Sequence, residues 1–307
     1  MRVLLTGASG FLGRYVLRAL QQSGIAAVAL GRTRPQGLGA SPFMAADLLA
    51  TADFTQLTRQ AGASHLLHLA WVTGHGQYWT SALNYRWVDA TTRLVQAFCE
   101  TGGQHVVVAG TCAEYDWAAG LCREDMTPLE PATVYGAAKD ATRRLVTALC
   151  SQHKVRCAWA RVFFPFGAGE APERLVPALV EVLQGRRPAF GVNAQVYRDF
   201  LHAGDVARGL LTLLRMDACG SYNISSGQPT QIGELVHLLA QLLERDPRGV
   251  LDLPSQRPPQ PACLVGENLK LKTLGWRQEL TLVQGLETSL RDLSACNRNQ
   301  ETVSHGG

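Results

Sequence analysis

Residues 6–13 read Thr6-Gly7-Ala8-Ser9-Gly10-Phe11-Leu12-Gly13, a glycine-rich turn between a short β-rich run at residues 2–6 and a helical pattern at residues 11–23. Glycines in such a turn let the backbone approach a pyrophosphate without an intervening Cβ, and the helix N-terminus offers unpaired N–H groups and a partial positive charge. The spacing G-x-x-G-x-x-G departs from the common G-x-G-x-x-G. Because it separates a strand from an amphipathic helix, it favours cofactor binding over a mere tight turn. We expect the cofactor contacts to be Gly7, Ser9, Gly10, Phe11, Leu12 and Gly13.

The rest of the N-terminal half alternates strand-like and helix-like patterns. Short β-rich runs occur at residues 26–31, 65–69, 105–111 and 156–162, and helical patterns at residues 53–62, 78–101 and 133–152. Strands that alternate with helices predict an α/β fold in which a doubly wound parallel sheet is covered on both faces. After Val162 proline, glycine and arginine become frequent, which indicates a smaller lobe placed over the sheet.

Composition and charge exclude several classes of protein. The 307 residues are 46% hydrophobic and 18% charged, which does not suit a disordered or collagen-like chain, and no apolar run is long enough to span a membrane. The net charge of +4 is not concentrated in a basic stripe, so we expect no nucleic-acid partner. The eight cysteines are scattered without C-x-x-C spacing, which predicts reduced thiols and no metal site. The apolar start is too short for a signal peptide, so we expect a cytoplasmic protein.

The loop after the second predicted strand bears on the choice of nicotinamide cofactor. In dinucleotide folds an acidic residue here bonds the adenosine ribose 2′-hydroxyl, whereas an arginine accommodates a 2′-phosphate. This loop, Gly31-Arg32-Thr33-Arg34, contains two arginines and no acid. We therefore expect NADP(H) to be preferred. NAD(H) stays possible if Arg32 and Arg34 are ordinary loop residues.

Two further strand ends are candidates for cofactor contact. Asp47 and Leu48 follow a short third strand and are expected to flank the adenine. The fourth strand ends in His68-Leu69-Ala70-Trp71, where Leu69, Ala70 and Trp71 would let the cofactor lie across the sheet edge. His68 itself is interpreted as a hydrogen-bonded wall or core histidine rather than a base.

The candidate chemical centre is the segment Tyr135-Gly136-Ala137-Ala138-Lys139. On a helix a spacing of four places Tyr135 and Lys139 on the same face, where an ammonium would stabilise the phenolate and lower a pKa that is ordinarily about 10. An acid/base of that kind suits an alcohol or a ketone near neutral pH. Thr111 ends the fifth strand at the carboxyl edge of the sheet, and its hydroxyl would hold the same substrate oxygen.

Together these motifs resemble the extended short-chain dehydrogenase/reductase family, in its NAD-dependent epimerase/dehydratase branch that acts on nucleotide sugars. The motifs are T-G-x-x-G-x-x-G at 6–13, H-L-A at 68–70, Thr111 four residues before Tyr115, and Y-G-x-x-K at 135–139. The likeness continues through R-V-F-F-P-F-G at 161–167, R-D-F-L-H at 198–202 and L-G-W at 274–276, so it covers nearly the whole chain.

The resemblance implies a domain plan and a substrate class. It implies a Rossmann domain at residues 1–165, completed by about 197–225, and a small mixed α/β C-terminal substrate lobe at 166–196 and 226–293. We expect residues 294–307 to form a disordered tail. The lobe would hold a nucleotide diphosphate sugar. A homodimer is possible through helices at 78–101 and 133–152, where Trp87 and Phe98 suit either an interface or the core.

The resemblance also implies roles for particular side chains. Tyr135 would be the acid/base, Lys139 would lower its pKa and bond the nicotinamide ribose, and Thr111 would replace the family's catalytic serine or threonine. Arg198 and Arg257 would contact the substrate diphosphate, whose oxygens match a guanidinium fork. Structural or surface roles for both arginines stay open.

Several positions depart from the family pattern. Cys112 and Ala113 stand where the family's 4,6-dehydratases carry the Asp and Glu that eliminate water, so such a dehydratase is disfavoured; Glu114, one residue later, would point elsewhere. Phe164 replaces the usual Asn at a substrate phosphate contact, Phe166 replaces a Tyr, and Trp87 an Asn. Apolar side chains therefore occupy positions at which the family usually has polar contacts to the substrate. Phe163 is expected at the cofactor and Phe164 at the substrate.

The cofactor separates the candidate reactions. An epimerase keeps its nicotinamide bound, usually as NAD in this family, whereas a net reductase consumes reducing equivalents and often takes NADPH. Arg32 and Arg34 therefore favour an NADP(H)-dependent reductase of a keto group, above all the 4-keto group of a nucleotide-linked deoxysugar, with Tyr135 as proton donor. An NAD-dependent nucleotide-sugar epimerase is the alternative. A non-catalytic dinucleotide-sensing regulator is a second alternative, disfavoured because it would not need Tyr135, Lys139 and Thr111 together.

Overall fold

Seven parallel strands form the central sheet. The computed structural model describes residues 1–74, 76–255 and 260–304, and side chains as far as residue 293. The strands of this sheet are β1 (Arg2–Thr6), β2 (Ala26–Gly31), β3 (Phe43–Ala45), β4 (His65–His68), β5 (His105–Thr111), β7 (Arg156–Val162) and β11 (Gly220–Ile224). Their order across the sheet is β11-β7-β5-β4-β1-β2-β3. The order reverses direction at β1, as in a doubly wound Rossmann sheet, and confirms the predicted fold class.

Helices cover both faces of this sheet. On one face lie α1 (Phe11–Gln22) and α6 (Ala203–Arg215); on the other lie α2 (Phe54–Ala61), α3 (Leu83–Glu100) and α4 (Val134–Gln152). The alternation along β1 shows why both layers are needed: Val3 and Leu5 pack under α1 and α6, while Leu4 packs under the opposite layer. Each such fully buried side chain contributes about 1.5–3 kcal/mol to the free energy of unfolding.

A smaller mixed lobe lies beyond the carboxyl edge of the sheet. Its short strands are β6 (Leu121–Cys122), β8 (Phe164–Phe166), β9 (Tyr197–Arg198), β10 (Phe200–His202), β12 (Thr230–Gln231) and β13 (Cys263–Gly266). Its helices are α5 (Leu175–Leu183), α7 (Ile232–Leu243), α8 (Arg248–Leu251) and α10 (Leu282–Ser304), whereas α9 (Leu269–Thr273) packs through Leu271 into the core of the central sheet. Leu179, Leu235 and Leu286 meet in a separate apolar core of this lobe. Among the described residues, no helix is both long and apolar enough to cross a membrane.

Asp199 joins the lobe to the end of the central sheet. Its buried carboxylate accepts hydrogen bonds from the Ser226 amide (2.7 Å) and hydroxyl (2.7 Å), the Gly227 amide (3.0 Å) and the Gly266 amide (3.1 Å). Burial nevertheless raises the pKa of Asp199 to about 6. The adjacent Arg198 is thereby held at a fixed position between the two parts of the fold.

Two segments differ from the sequence-based expectation. The helix predicted from residue 78 begins only at Leu83, because the Asn84 side chain donates to the carbonyls of Tyr78 (2.7 Å) and Ser81 (2.9 Å) and stabilises a turn there. The sequence predicts a disordered tail at residues 294–307, but α10 continues to Ser304, consistent with the lack of Gly and Pro between 286 and 305; residues 305–307 lie outside the described residues. Phe98, a residue of α3, points into the core between this helix and the sheet and is therefore not available to an interface.

Candidate active site

The glycine-rich turn forms a tight cradle between β1 and α1. A Cβ on Gly7, whose φ is +73°, would lie 2.8 Å from the Ala70 amide nitrogen, and one on Gly13 would lie 2.0 Å from the Gly7 carbonyl oxygen. These two glycines therefore let the turn fold onto itself and onto the end of β4. Gly10 is the N-cap and has no side chain to cap α1. The first amides of α1 are left facing outward, an arrangement that suits a pyrophosphate.

The end of β4 is fixed by hydrogen bonds to Thr6. Its hydroxyl oxygen accepts from the amides of Leu69 (3.2 Å) and Ala70 (3.3 Å). The His68 ring bridges the hydroxyls of Thr6 (2.8 Å) and Thr91 (3.0 Å), and burial lowers the pKa of His68 to about 3. His68 is therefore a neutral wall histidine, in agreement with its interpretation from the sequence.

The two loop arginines after β2 have different surroundings. Arg34 donates to the Gly39 carbonyl at 2.8 Å, so its guanidinium is engaged by its own loop. Arg32 is exposed and makes no hydrogen bond or ion pair with the part of the chain that is described. Asp47 accepts from the Leu49 amide at 3.0 Å and thus closes a turn. Beside it the buried Leu48 lines a cleft of about 270 Å³.

Tyr135 lies in the first turn of α4. The Thr133 hydroxyl accepts from the Gly136 amide at 3.0 Å and caps the helix, and the Tyr135 amide donates to the Trp79 carbonyl at 3.1 Å. A Cβ on Gly136 would lie 2.1 Å from the Ala113 carbonyl, so glycine allows α4 to approach the turn after β5. That approach brings the Tyr135 phenol to Thr111. Burial raises the phenol pKa above its ordinary value, whereas the neighbouring Thr111 hydroxyl lowers it.

Lys139 lies one helical turn beyond Tyr135 and is almost fully enclosed, with 3% of its surface exposed. Its Nζ donates to the Ala109 carbonyl at 2.9 Å and lies 3.9 Å from the centroid of the Trp71 ring. Burial lowers the pKa of Lys139 to about 7, an effect opposed by Glu114. The sequence predicts that Lys139 lowers the pKa of Tyr135. The pKa of Tyr135 is instead raised, because desolvation exceeds the favourable interactions of the phenolate.

An aromatic wall that sequence reasoning missed surrounds the Tyr135 ring. The ring centroids of Tyr78 and Trp79 lie 4.9 Å and 5.7 Å from that of Tyr135, both edge to face. The Arg174 guanidinium contacts this wall: its Nη1 donates a hydrogen bond to the Tyr78 hydroxyl at 3.3 Å. Arg174 also forms an ion pair with Glu170 at 3.4 Å. The adjacent aromatic pair at 78–79 was a usable signal, but nothing in its spacing relates it to Tyr135.

Glu114 is directed away from this pocket, as expected. Its carboxylate accepts from the Thr111 amide (2.8 Å), from the Trp159 indole (2.9 Å) and from the Arg161 guanidinium (2.8 Å). Glu114 and Arg161 are both fully buried, and Arg161 also donates to the Tyr115 hydroxyl at 3.0 Å. This ion pair fixes the turn that carries Thr111.

The remaining predicted residues lie toward the lobe. Arg198 is buried; it donates to the carbonyls of Tyr197 (2.7 Å) and Pro261 (3.0 Å), and its guanidinium lies 5.7 Å from the centroid of the Phe164 ring. Burial lowers the pKa of Arg198. The Phe163 side chain is enclosed in a small apolar cluster. Arg257, the second predicted diphosphate contact, lies outside the described residues.

Comparison with known proteins gives the same family over most of the chain. The model of the NAD dependent epimerase/dehydratase family matches residues 3–225. The dTDP-6-deoxy-L-talose 4-dehydrogenase (NAD(+)) of Aggregatibacter actinomycetemcomitans is 24% identical over 76% of this chain and 87% of that protein. The UDP-glucose 4-epimerase of Azospirillum brasilense is 25% identical over 94% of this chain and 90% of its own length.

Solved structures match the whole architecture. MoeE5 in complex with UDP-glucose and NAD is 29% identical, has a TM-score of 0.84, and the match covers 95% of this chain and 98% of that one. The NAD complex of UDP-glucose 4-epimerase from Thermus thermophilus has a TM-score of 0.83 over 95% of this chain and 98% of that one. At 22% identity, the second likeness supports the fold alone.

Proposed function

The chain belongs to the NAD-dependent epimerase/dehydratase family, within the extended short-chain dehydrogenase/reductase enzymes, and from that membership we propose that it reduces a keto group of a nucleotide-linked sugar. The observation that carries this proposal is the position of the buried Tyr135 phenol beside Thr111 at the carboxyl end of β5. A phenol whose pKa is raised by burial keeps its proton at neutral pH. It is therefore better suited to give a proton to a ketone oxygen than to take one from an alcohol.

Each of the three proposed catalytic residues has a distinct task. Tyr135 gives its proton to the substrate oxygen. Thr111 donates a hydrogen bond to the same oxygen and so fixes its position beside the phenol. Lys139, enclosed between Ala109 and Trp71, contributes a positive charge behind the phenol when it is protonated. The nicotinamide cofactor, when bound, supplies the hydride. Tyr78 and Trp79 shield the centre from water on one side.

The glycine cradle supports a dinucleotide in this role. The outward-facing amides of α1 would hold its pyrophosphate, and Leu69, Ala70 and Trp71 would border the nicotinamide half. We propose that the cleft beside Leu48 receives the adenosine end. Arg32, which is free of other partners in the described chain, would reach a 2′-phosphate, and this favours NADPH for the reaction. MoeE5 and the Thermus thermophilus epimerase were solved in complex with NAD, and the similar 4-dehydrogenase carries NAD(+) in its name, so NADH is the competing cofactor.

The substrate proposal rests on the lobe that faces the carboxyl edge. Arg198 and Phe164 lie together there, and a guanidinium suits the diphosphate of a nucleotide sugar. The 4-keto group of a nucleotide-linked deoxysugar is the preferred target. The relative that acts as a dTDP-6-deoxy-L-talose 4-dehydrogenase supports chemistry at that carbon.

Epimerisation at the same carbon is the second candidate. It is favoured by the UDP-glucose 4-epimerase of Azospirillum brasilense, which matches 94% of the chain. The two reactions differ in their cofactor balance: an epimerase regenerates its nicotinamide in each turnover, whereas a reductase consumes one. Purified protein that retains NAD through dialysis and interconverts sugars without net NAD(P)H oxidation would contradict the reductase.

The direct test follows NADPH and NADH oxidation by absorbance with a panel of nucleotide 4-keto-sugars. In the Tyr135→Phe variant we expect turnover to fall by about 10²–10⁴-fold while cofactor binding is kept. Tyr222→Phe is the matched control, because Tyr222 lies on β11 beside Lys270, outside the proposed site, and should leave turnover unchanged. Full turnover by Tyr135→Phe would refute the assigned role.

The cofactor preference has a separate test. Arg32→Asp should weaken NADPH binding far more than NADH binding, as measured by fluorescence titration. Arg34→Asp is the comparison, because Arg34 is already held by the Gly39 carbonyl and should shift the preference less. Equal loss for the two cofactors in Arg32→Asp would show that no 2′-phosphate is read at this position.

A further inference from the structure

The amino edge of the central sheet, opposite the proposed active site, carries a second group of polar side chains. His65, His105 and Arg156 are the first residues of β4, β5 and β7. The register pairs His65 with His105 and His105 with Arg156, so the three stand in a row. Residues paired across parallel strands turn their side chains to the same face. Asp217, just after the end of α6, lies over this row.

Three ligand-type atoms converge at this place. His105 Nδ1 lies 3.9 Å from Asp217 Oδ1, and His65 Nε2 lies 4.0 Å from the same oxygen. All three atoms lie within 4.8 Å of one another. Two imidazoles and a carboxylate form a donor set that suits zinc and related divalent transition metals.

The hydrogen bonding of His105 makes Nδ1 a lone-pair donor. The other ring nitrogen, Nε2, lies 2.9 Å from the Ala218 carbonyl, which can only accept, so Nε2 carries the hydrogen. In the neutral ring Nδ1 is then unprotonated. The His105 side chain is 0% exposed, and Nδ1 has no hydrogen-bond partner in the described part of the chain. A buried lone pair thus lies 3.9 Å from a carboxylate oxygen, and a cation bound between the two atoms would satisfy both.

We propose that His65, His105 and Asp217 bind one divalent transition-metal ion of the zinc class, with water completing the coordination. Zinc ligands lie about 2.0–2.2 Å from the metal, which places tetrahedral ligand atoms about 3.3 Å apart. The observed 3.9 Å and 4.0 Å therefore have to close by about 0.6 Å. Asp217 is 46% exposed, so it has freedom to move and leaves a path for the ion.

The surroundings orient the ligands as metal sites require. The Ala218 carbonyl holds the His105 ring, and the Ser64 hydroxyl holds His65 Nδ1 at 2.9 Å, leaving His65 Nε2 for the ion. Arg156 pairs with Asp217 Oδ2 at 3.0 Å and directs Oδ1 inward. The positive charge of Arg156 disfavours binding of a cation, whereas the partial negative charge at the C-terminal end of α6 favours it. The bound ion would join the starts of β4 and β5 to the end of α6.

The test measures metal binding rather than turnover. Protein stripped with a chelator is titrated with Co²⁺, whose visible absorption reports low-coordinate nitrogen and oxygen ligation, and with Zn²⁺ in competition with a chromophoric chelator. We expect one equivalent per chain and a higher melting temperature with Zn²⁺. His105→Gln and Asp217→Asn should each weaken binding about tenfold or more. Asn suits the left-handed backbone of Asp217 (φ 50°), so this variant decides the question even if His105→Gln does not fold.

Two controls distinguish this site from adventitious binding. His237→Gln removes an exposed histidine on α7, and Cys219→Ser removes an exposed thiol two residues after Asp217; both should bind the ion as the wild type does. Unchanged affinity in Asp217→Asn, loss of binding in Cys219→Ser, or no saturable binding by the wild type would each overturn the proposal. None of these outcomes depends on the reaction at Tyr135, which lies at the other edge of the sheet.

Discussion

Replacing Lys139 by methionine removes a buried ammonium and should change how stability depends on pH. Lys139 is 3% exposed, and burial lowers its pKa from 10.5 to about 7. In the unfolded chain the same group keeps its ordinary value. Between pH 7 and pH 10 the unfolded state therefore binds a proton that the folded state has released.

The sign and size of the effect follow from this difference. Because the folded pKa is the lower one, the stabilising contribution is present at high pH and is lost as the pH falls toward 7. Each unit of pKa difference corresponds to about 1.36 kcal/mol. Between pH 7 and pH 9, the free energy of unfolding of the wild type should rise by about 2 kcal/mol relative to Lys139→Met. Other titrating groups are shared by both proteins and cancel in the comparison.

Urea denaturation at pH 7, 8 and 9, followed by the fluorescence of the six tryptophans, measures this difference. Lys272→Met is the matched control, because Lys272 is an exposed lysine on α9 and its removal should shift the curve equally at every pH. If the wild type and Lys139→Met give parallel stability curves over this range, Lys139 is charged in the folded protein and the argument from burial is wrong.

Two further predictions concern stability. Gly13→Ala should lower the free energy of unfolding by about 1–3 kcal/mol and abolish cofactor binding, because its Cβ would lie 2.0 Å from the Gly7 carbonyl oxygen. Gly249→Ala is the control: the space around its Cβ is open, so the free energy of unfolding should change by less than about 1 kcal/mol. Arg161→Met should cost about 3–5 kcal/mol by leaving Glu114 buried and unpaired, and adding Glu114→Gln should recover part of that loss. Urea denaturation measures all four variants, and additive losses in the double variant would contradict the pairing argument.

The architecture could be predicted from the sequence because its signals are local. The turn at residues 6–13 lies between a strand and a helix, and alternating patterns up to residue 162 define the parallel sheet. Local periodicity also predicts that Tyr135 and Lys139 lie on one face of a helix. Their electrostatics could not be predicted in the same way. Burial depends on Trp71 and on the Ala109 carbonyl, which come from other strands, and it decides the direction of both pKa shifts.

Contacts between residues that are far apart in the sequence could not be predicted from it. Tyr78 and Arg174 are 96 residues apart and meet beside Tyr135, but neither lies at a spacing that relates it to the helix. His65 and His105 are likewise 40 residues apart, and nothing in the sequence relates them. They become neighbours only because β4 and β5 pair in a register that starts both strands with a histidine. The register follows from the packing of the whole sheet.

Phe164 illustrates how a departure from a family pattern changes meaning once its surroundings are known. In the sequence, Phe164 replaces the asparagine that is usual in the family, which indicates that a polar contact to the substrate is lost. In the fold its ring centroid lies 5.7 Å from the Arg198 guanidinium, which also donates a hydrogen bond to the Pro261 carbonyl. A flat guanidinium is stabilised over an aromatic face, so the phenylalanine supports the arginine. The proposed diphosphate contact then depends on Arg198 and Phe164 together, and a change at either residue should weaken substrate binding more than cofactor binding.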